Sequence, residues 1–125
     1  MPAVRPSGMY KHYCHEGGIR TPLIVHWPKG IAAKGEFRDQ AGHIIDVMAT
    51  CVDLCGAKYP AKVGETAITP MEGKSLRPAF AGRPLDREYL AWEHQRNRAI
   101  REGKWKLVAK ANKDWELYDL EADPV

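Results

Sequence analysis

The sequence predicts an α+β fold, and three observations predict it. Apolar residues recur at three- and four-residue steps between 43 and 55, a β-branched run lies between prolines at 22 and 28, and the last third breaks into short aromatic or β-branched runs. The resulting order is loop, strand, helix and a small antiparallel meander.

Residues 1–9 are rich in Pro, Gly and Ser without periodicity and read as a loop. Pro22-Leu23-Ile24-Val25-His26-Trp27-Pro28 is short, β-branched and bracketed by prolines, which predicts a buried strand ended by Pro28-Lys29-Gly30. From His43 to Cys55, Ile44, Val47, Met48, Cys51, Val52 and Cys55 share one helical face. Asp46 in the first turn complements the helix dipole, and Gly56 offers a left-handed stop. Cys51 and Cys55, four apart on that face, are expected as buried thiols behaving as small hydrophobes.

Residues 57–70 show no sustained period and read as a long loop, after which 75–80 has room for one helical turn before Gly82. Tyr89-Leu90-Ala91-Trp92, residues 97–101, Trp105 to Val108 and Trp115 to Leu120 then predict successive antiparallel strands. Glu102-Gly103 turns one hairpin, and residues 111–114 turn the next. Trp92, Trp105 and Trp115 are expected in the core of that sheet, with a sugar-stacking platform as the functional alternative.

The 125 residues, 44% hydrophobic and 28% charged, suit one globular unit with a modest core. A net charge of +3 from scattered basic residues is too weak a bias to imply nucleic acid, although it leaves room for an anionic ligand. No apolar run approaches the roughly 20 residues of a membrane span, and residues 1–9 contain no signal-peptide core. Three cysteines, Cys14, Cys51 and Cys55, define no disulfide framework and match no zinc-finger spacing, so they leave the compartment open.

Chemistry concentrates in Lys11-His12-Tyr13-Cys14-His15-Glu16-Gly17-Gly18-Ile19-Arg20, where cations, two imidazoles and a carboxylate crowd a glycine pair. Lys11 and Arg20 suit an oxyanion, while the glycines permit a sharp turn or a close approach. His12 and His15 are three apart, but the glycine pair argues against the helix that would make them a metal pair, and no second zincin histidine follows His15-Glu16. Glu16 is a general base or, more economically, a carboxylate that fixes the glycine turn or pairs with Arg20. His94 ends a strand, facing either ligand or solvent. Cys14 is the only cysteine in a basic setting, without an orienting partner that sequence identifies.

Lys11, the run from Glu16 to Arg20 with Pro22, the segment from Leu23 to Pro28, Ile44-Ile45-Asp46 and Glu72-Gly73-Lys74-Ser75-Leu76 are similar to the C-terminal part of the arylsulfatase family. Trp92-Glu93-His94, residues 97–101, Gly103 to Val108 and Trp115 to Leu120 with Asp123-Pro124 are similar to that family's closing strands, so the resemblance covers nearly the whole chain in order. It implies an alkaline-phosphatase-like α/β core, with residues 1–56 as the end of the catalytic domain. Residues 57–125 would then form a C-terminal subdomain, an antiparallel sheet of about four strands packed on a helix.

The chemistry implied is hydrolysis of the sulfate monoester of a small molecule or carbohydrate, in which a formylglycine hydrate attacks sulfur while calcium and basic groups hold the oxygens. Lys11, five residues before Glu16, corresponds to the family's sulfate-contacting lysine, as a catalytic and substrate-binding residue, and His94 to a residue lining the substrate pocket. Full-length members of such a family are expected to be periplasmic or secreted.

Departures qualify this. None of Cys14, Cys51, Cys55, Ser7 or Ser75 begins the Cys/Ser-x-Pro-x-Arg motif that yields formylglycine, and the family's calcium-binding aspartates and Asp-Asn pair have no counterpart here. His15 also stands where many relatives carry an aromatic or hydroxyl residue. These residues alone are therefore expected to be catalytically silent and to bind no calcium. The alternative is a noncatalytic module that binds carbohydrate or protein through its Trp-rich sheet.

Overall fold

A computed structural model describes residues 9–122. The expected loop before Met9, Ser7 and the Asp123-Pro124 ending lie outside the described residues. The chain divides into two compact units: residues 1–24 with 88–125, and residues 25–87.

The first unit is a four-stranded antiparallel meander: β3 (Leu90–His94), β4 (Asn97–Glu102), β5 (Trp105–Ala109) and β6 (Trp115–Asp119), following β1 (Lys62–Val63) and β2 (Thr66–Ala67) of the other unit. All four strands fall where the aromatic and β-branched runs predict them. Chain neighbours pair, so short turns set the register. Gln95 and Arg96, both at positive φ, close the His94–Asn97 pair. The Asn97 amide steadies this turn by donating to the His94 carbonyl at 3.1 Å.

Alternation sends Leu90, Trp92, Asn97, Ala99, Lys106, Val108, Glu116 and Tyr118 to one face. Residues 14–16 and the single-turn helix α1 (Glu16–Ile19) belong to the same unit, and Cys14 joins Ala99 and Val108 in its apolar core, with Trp92 and Tyr118 packed against it. The expectation of a three-tryptophan core holds only for Trp92. Trp105 and Trp115 occupy the opposite strand phase and are 49% exposed.

In the second unit, α2 (Ile45–Cys55) ends on left-handed Gly56, as expected, but buries the other side of the helix. Asp46, Ala49 and Thr50 are covered, whereas Ile44, Val47, Met48, Cys51 and Cys55 are exposed. The expected burial of the two thiols is thus corrected. Periodicity identifies a stripe, while the neighbours available decide which stripe is covered, and here polar anchors win. Asp46 accepts from the backbone amides of His43 (2.7 Å) and Lys74 (2.9 Å) and pairs with Arg87 at 2.6 Å. The Thr50 hydroxyl donates to the Asp46 carbonyl and accepts from the Leu76 amide, tying on the segment before α3 (Arg77–Phe80). Gly73 crosses the first turn of α2 so closely that a Cβ would lie 2.2 Å from the Ile45 carbonyl oxygen.

Two further expectations change. The stretch 57–70 is not entirely loop, because β1 (Lys62–Val63) and β2 (Thr66–Ala67) pair across Glu65 and left-handed Gly64. The predicted buried strand at 22–28 is corrected: the segment forms no ladder, runs into a turn at Pro28, and leaves Ile24 91% exposed. β-propensity supplies only a local preference, and a strand also needs a partner, which this segment finds nowhere among the described residues.

Candidate functional site

The segment 11–20 is built from the backbone outward. Lys11 sits at φ 57°, and the chain folds back so that Gly18 lies under Tyr13, where a Cβ would come within 2.0 Å of the Tyr13 carbonyl oxygen and 3.3 Å of that of Lys11. Only glycine fits there. His15 is the N-cap residue of α1, and its carbonyl accepts from the Gly18 and Ile19 amides. The argument against a helix at the glycine pair is corrected to this extent: one turn forms, starting after both histidines.

Three successive side chains anchor the segment. The Cys14 thiol donates to the Asn97 carbonyl at 3.4 Å. His15, 1% exposed, meets the Glu116 carboxylate through Nε2 at 3.0 Å, leaving Nδ1 buried without a partner. Glu16 pairs with Lys106 (Nζ to Oε1, 2.5 Å), and that ammonium also lies 5.6 Å from the centre of the Trp92 ring. Pairing with distant Lys106 occupies the Glu16 carboxylate and removes it as a free general base. Arg20 itself is exposed just beyond α1.

Burial shapes the electrostatics. Lys106 is fully covered, and desolvation pushes its pKa below 10.5 although Glu16 pulls the other way. Burial likewise raises the Cys14 thiol, against the counter-pull of Lys106, so a thiol nucleophile is disfavoured. Glu116 goes down: burial alone would raise it, but hydrogen bonds from Tyr118 (2.6 Å) and His15 outweigh that, with Lys110 adding charge.

A carboxyl depressed in the folded state contributes stability above its ordinary pKa and loses it as pH falls. Urea stability is therefore expected to drop as pH falls below 4.5, the ordinary Glu116 value, and Glu116→Gln is expected to flatten that decline. An unchanged slope in the variant would remove Glu116 from the acid response.

With 14–16 buried, Lys11 and His12 are left on the surface. The Lys11 ammonium is 6.0 Å from the centre of the Tyr10 ring. His12 Nδ1 lies 3.3 Å from His94 Nε2, so the segment carrying Lys11 meets the strand end carrying His94. The two residues singled out from sequence are thereby brought to one neighbourhood by His12, which sequence reading weighs only against His15 and not against His94. His15 points the other way, into the unit, and is not part of a pair with His12. Lys106 was missed as well, although a lysine two residues before Val108, in the phase of the buried strand face, is a legible signal.

Residues 7–125 match the family model described as N-sulphoglucosamine sulphohydrolase, C-terminal. The chain is 31% identical over 130 residues to an uncharacterized sulfatase of Schizosaccharomyces pombe, covering 97% of this chain and 23% of that protein. It is 36% identical to the choline-sulfatase of Rhizobium meliloti (93% of this chain, 22% of that one). It is 30% identical to an N-acetylglucosamine-6-O-sulfatase of Bacteroides thetaiotaomicron (91% and 22%). The crystal structure of Ps i-CgsB superposes with a TM-score of 0.59 at 25% identity, covering 79% of this chain and 22% of that one. The chain thus spans about a quarter or less of the length of these relatives. It belongs to the sulfatase family, as a C-terminal portion of that fold.

Proposed function

We propose that this chain is part of an arylsulfatase-type sulfuric ester hydrolase and that its contribution to the chemistry is Lys11, a cation held against the sulfate, with His94 facing the substrate. The observation that carries this is the Lys11 turn, clamped on Gly18 and anchored by buried residues 14–16, which holds Lys11 at the surface next to His12, the residue in contact with His94. A fixed cation at a developing oxyanion lowers the barrier without reorganising during reaction. The substrate class is the sulfate ester of a small molecule or carbohydrate, in keeping with relatives named for choline and N-acetylglucosamine.

The formylglycine and calcium that the resemblance implies do not fit the residues present. No cysteine or serine begins the required motif. Among the described residues no three His, Cys, Asp or Glu side chains gather around one point, whereas calcium takes six to eight oxygens. No step is therefore assigned to either group, and the chain on its own is read as inert.

In a polypeptide that also carries the nucleophile, Lys11→Ala is expected to lower kcat/KM by about 10²–10³-fold with the fold intact. Unchanged turnover would take Lys11 off the sulfate. Turnover of an aryl sulfate by the purified 125 residues, abolished by Lys11→Ala, would refute the inert reading.

The second reading, a carbohydrate-binding module, draws on the half-exposed Trp105 and Trp115, which share a strand phase. Their fluorescence would respond to sulfated or unsulfated sugars under that reading alone.

A further inference from the structure

His12 and His94 are 82 positions apart, yet their rings are within 6° of parallel with centres 5.6 Å apart. The centre-to-centre distance exceeds the 3.3 Å nitrogen separation by about two ring radii. The rings therefore lie head to head in nearly one plane, rather than face on face, with His12 Nδ1 and His94 Nε2 aimed at each other. Without a metal, one nitrogen must donate a proton and the other accept it.

Both backbones are fixed in advance. The His12 turn is clamped by the Gly18–Tyr13 approach and by the Cys14 and Glu16 anchors. The His94 carbonyl accepts from the Asn97 amide at the tight β3–β4 turn. Both rings are exposed, so an ion can reach them.

A tetrahedral metal ion with bonds of about 2.0–2.1 Å to nitrogen holds two of its ligands about 3.3–3.4 Å apart, which is the separation already present. We propose that His12 Nδ1 and His94 Nε2 form a two-nitrogen site for a borderline divalent transition metal, such as nickel(II) or zinc(II). The ion takes the place of the hydrogen bond between the rings: the donor ring shifts its proton to its remote nitrogen, both imidazoles stay neutral, and a modest swing of the two exposed side chains brings both lone pairs onto the ion. Among the described residues no third His, Cys, Asp or Glu joins the pair, so water fills the remaining positions. Oxygen-seeking magnesium and calcium are not accommodated. The site depends on ring geometry and not on the sulfatase reading, so failure of the Lys11 test leaves it untouched.

Titrating the 125-residue chain with nickel(II) tests this, since nickel suits imidazole and so limits competition from the exposed thiols of Cys51 and Cys55. One ion per chain is expected at roughly micromolar affinity, with the His12 and His94 ring resonances responding first as each ring keeps its single N–H on the nitrogen that faces away from the ion. His12→Ala and His94→Ala are each expected to weaken binding at least ten-fold, while His26→Ala leaves it unchanged. The exposed positions make loss of fold improbable, and the backbone amide spectrum of each variant checks that. Wild-type affinity in both alanine variants, or ring resonances that stay still at saturating nickel, would overturn the assignment.

Discussion

Lys106→Ala is expected to destabilise the first unit by about 3–5 kcal/mol, because it leaves the Glu16 carboxylate buried without its counter-charge. A domain's whole stability is only about 5–15 kcal/mol, so much of the population would unfold. The ion pair itself is a poor source of net stability, since both charges had to leave water. Replacing both members by apolar residues of similar size, Lys106→Met with Glu16→Leu, is therefore expected to recover most of the loss. Urea unfolding of the wild type, both single variants and the double variant closes the cycle. Additive single losses, with no recovery in the double variant, would show that the residues act through packing rather than as a pair.

Asp46→Ala is expected to have an effect of similar size on the second unit. Asp46 is completely buried and holds Arg87, whose side chain is 11% exposed, together with the His43 and Lys74 amides. Removing it strands a nearly buried guanidinium and two backbone donors, for which about 3–5 kcal/mol is the expected loss. The buried apolar residues of this unit are Ala49, Leu76 and Ala79, which offer little to absorb the change. Its pKa lies below 3.8, because Arg87 and the two amides outweigh desolvation, so the same contribution is lost on acidification. Amide resonances of α2 and of residues 73–87 should collapse in the variant. A melting profile within 1 kcal/mol of wild type, roughly the ordinary effect of a point change, would show that Asp46 does not hold this unit.

What was legible in the sequence was whatever local pattern decides. The four strands of the meander and both hairpin turns named from sequence appear because short alternating runs separated by turn residues need only their chain neighbours. Helix α2 and its Gly56 stop appear for the same reason. Long-range pairing was not legible. Nothing near Pro22 or Pro28 announces that the run between them lacks a ladder, and nothing in the 44–55 period says that its polar side is the one covered. Within the site, Lys11, His12 and His94 are each visible in the sequence and resemblance assigns roles to the first and last, whereas the pairing of His12 with His94 appears only in the fold. The Glu16–Lys106 pair spans 90 positions, beyond any motif.

That span also bears on how the site assembles. The meander forms from neighbouring hairpins, but the segment bearing Lys11 joins it only by closing a long excursion of chain. The entropy of that closure is about 4 kcal/mol for some 90 residues. The few buried links at 14–16 must offset it, and none is available until strands β4, β5 and β6 have been laid side by side. The ammonium is thus the last part to arrive, and its clamp should be the first to let go when the sheet loosens.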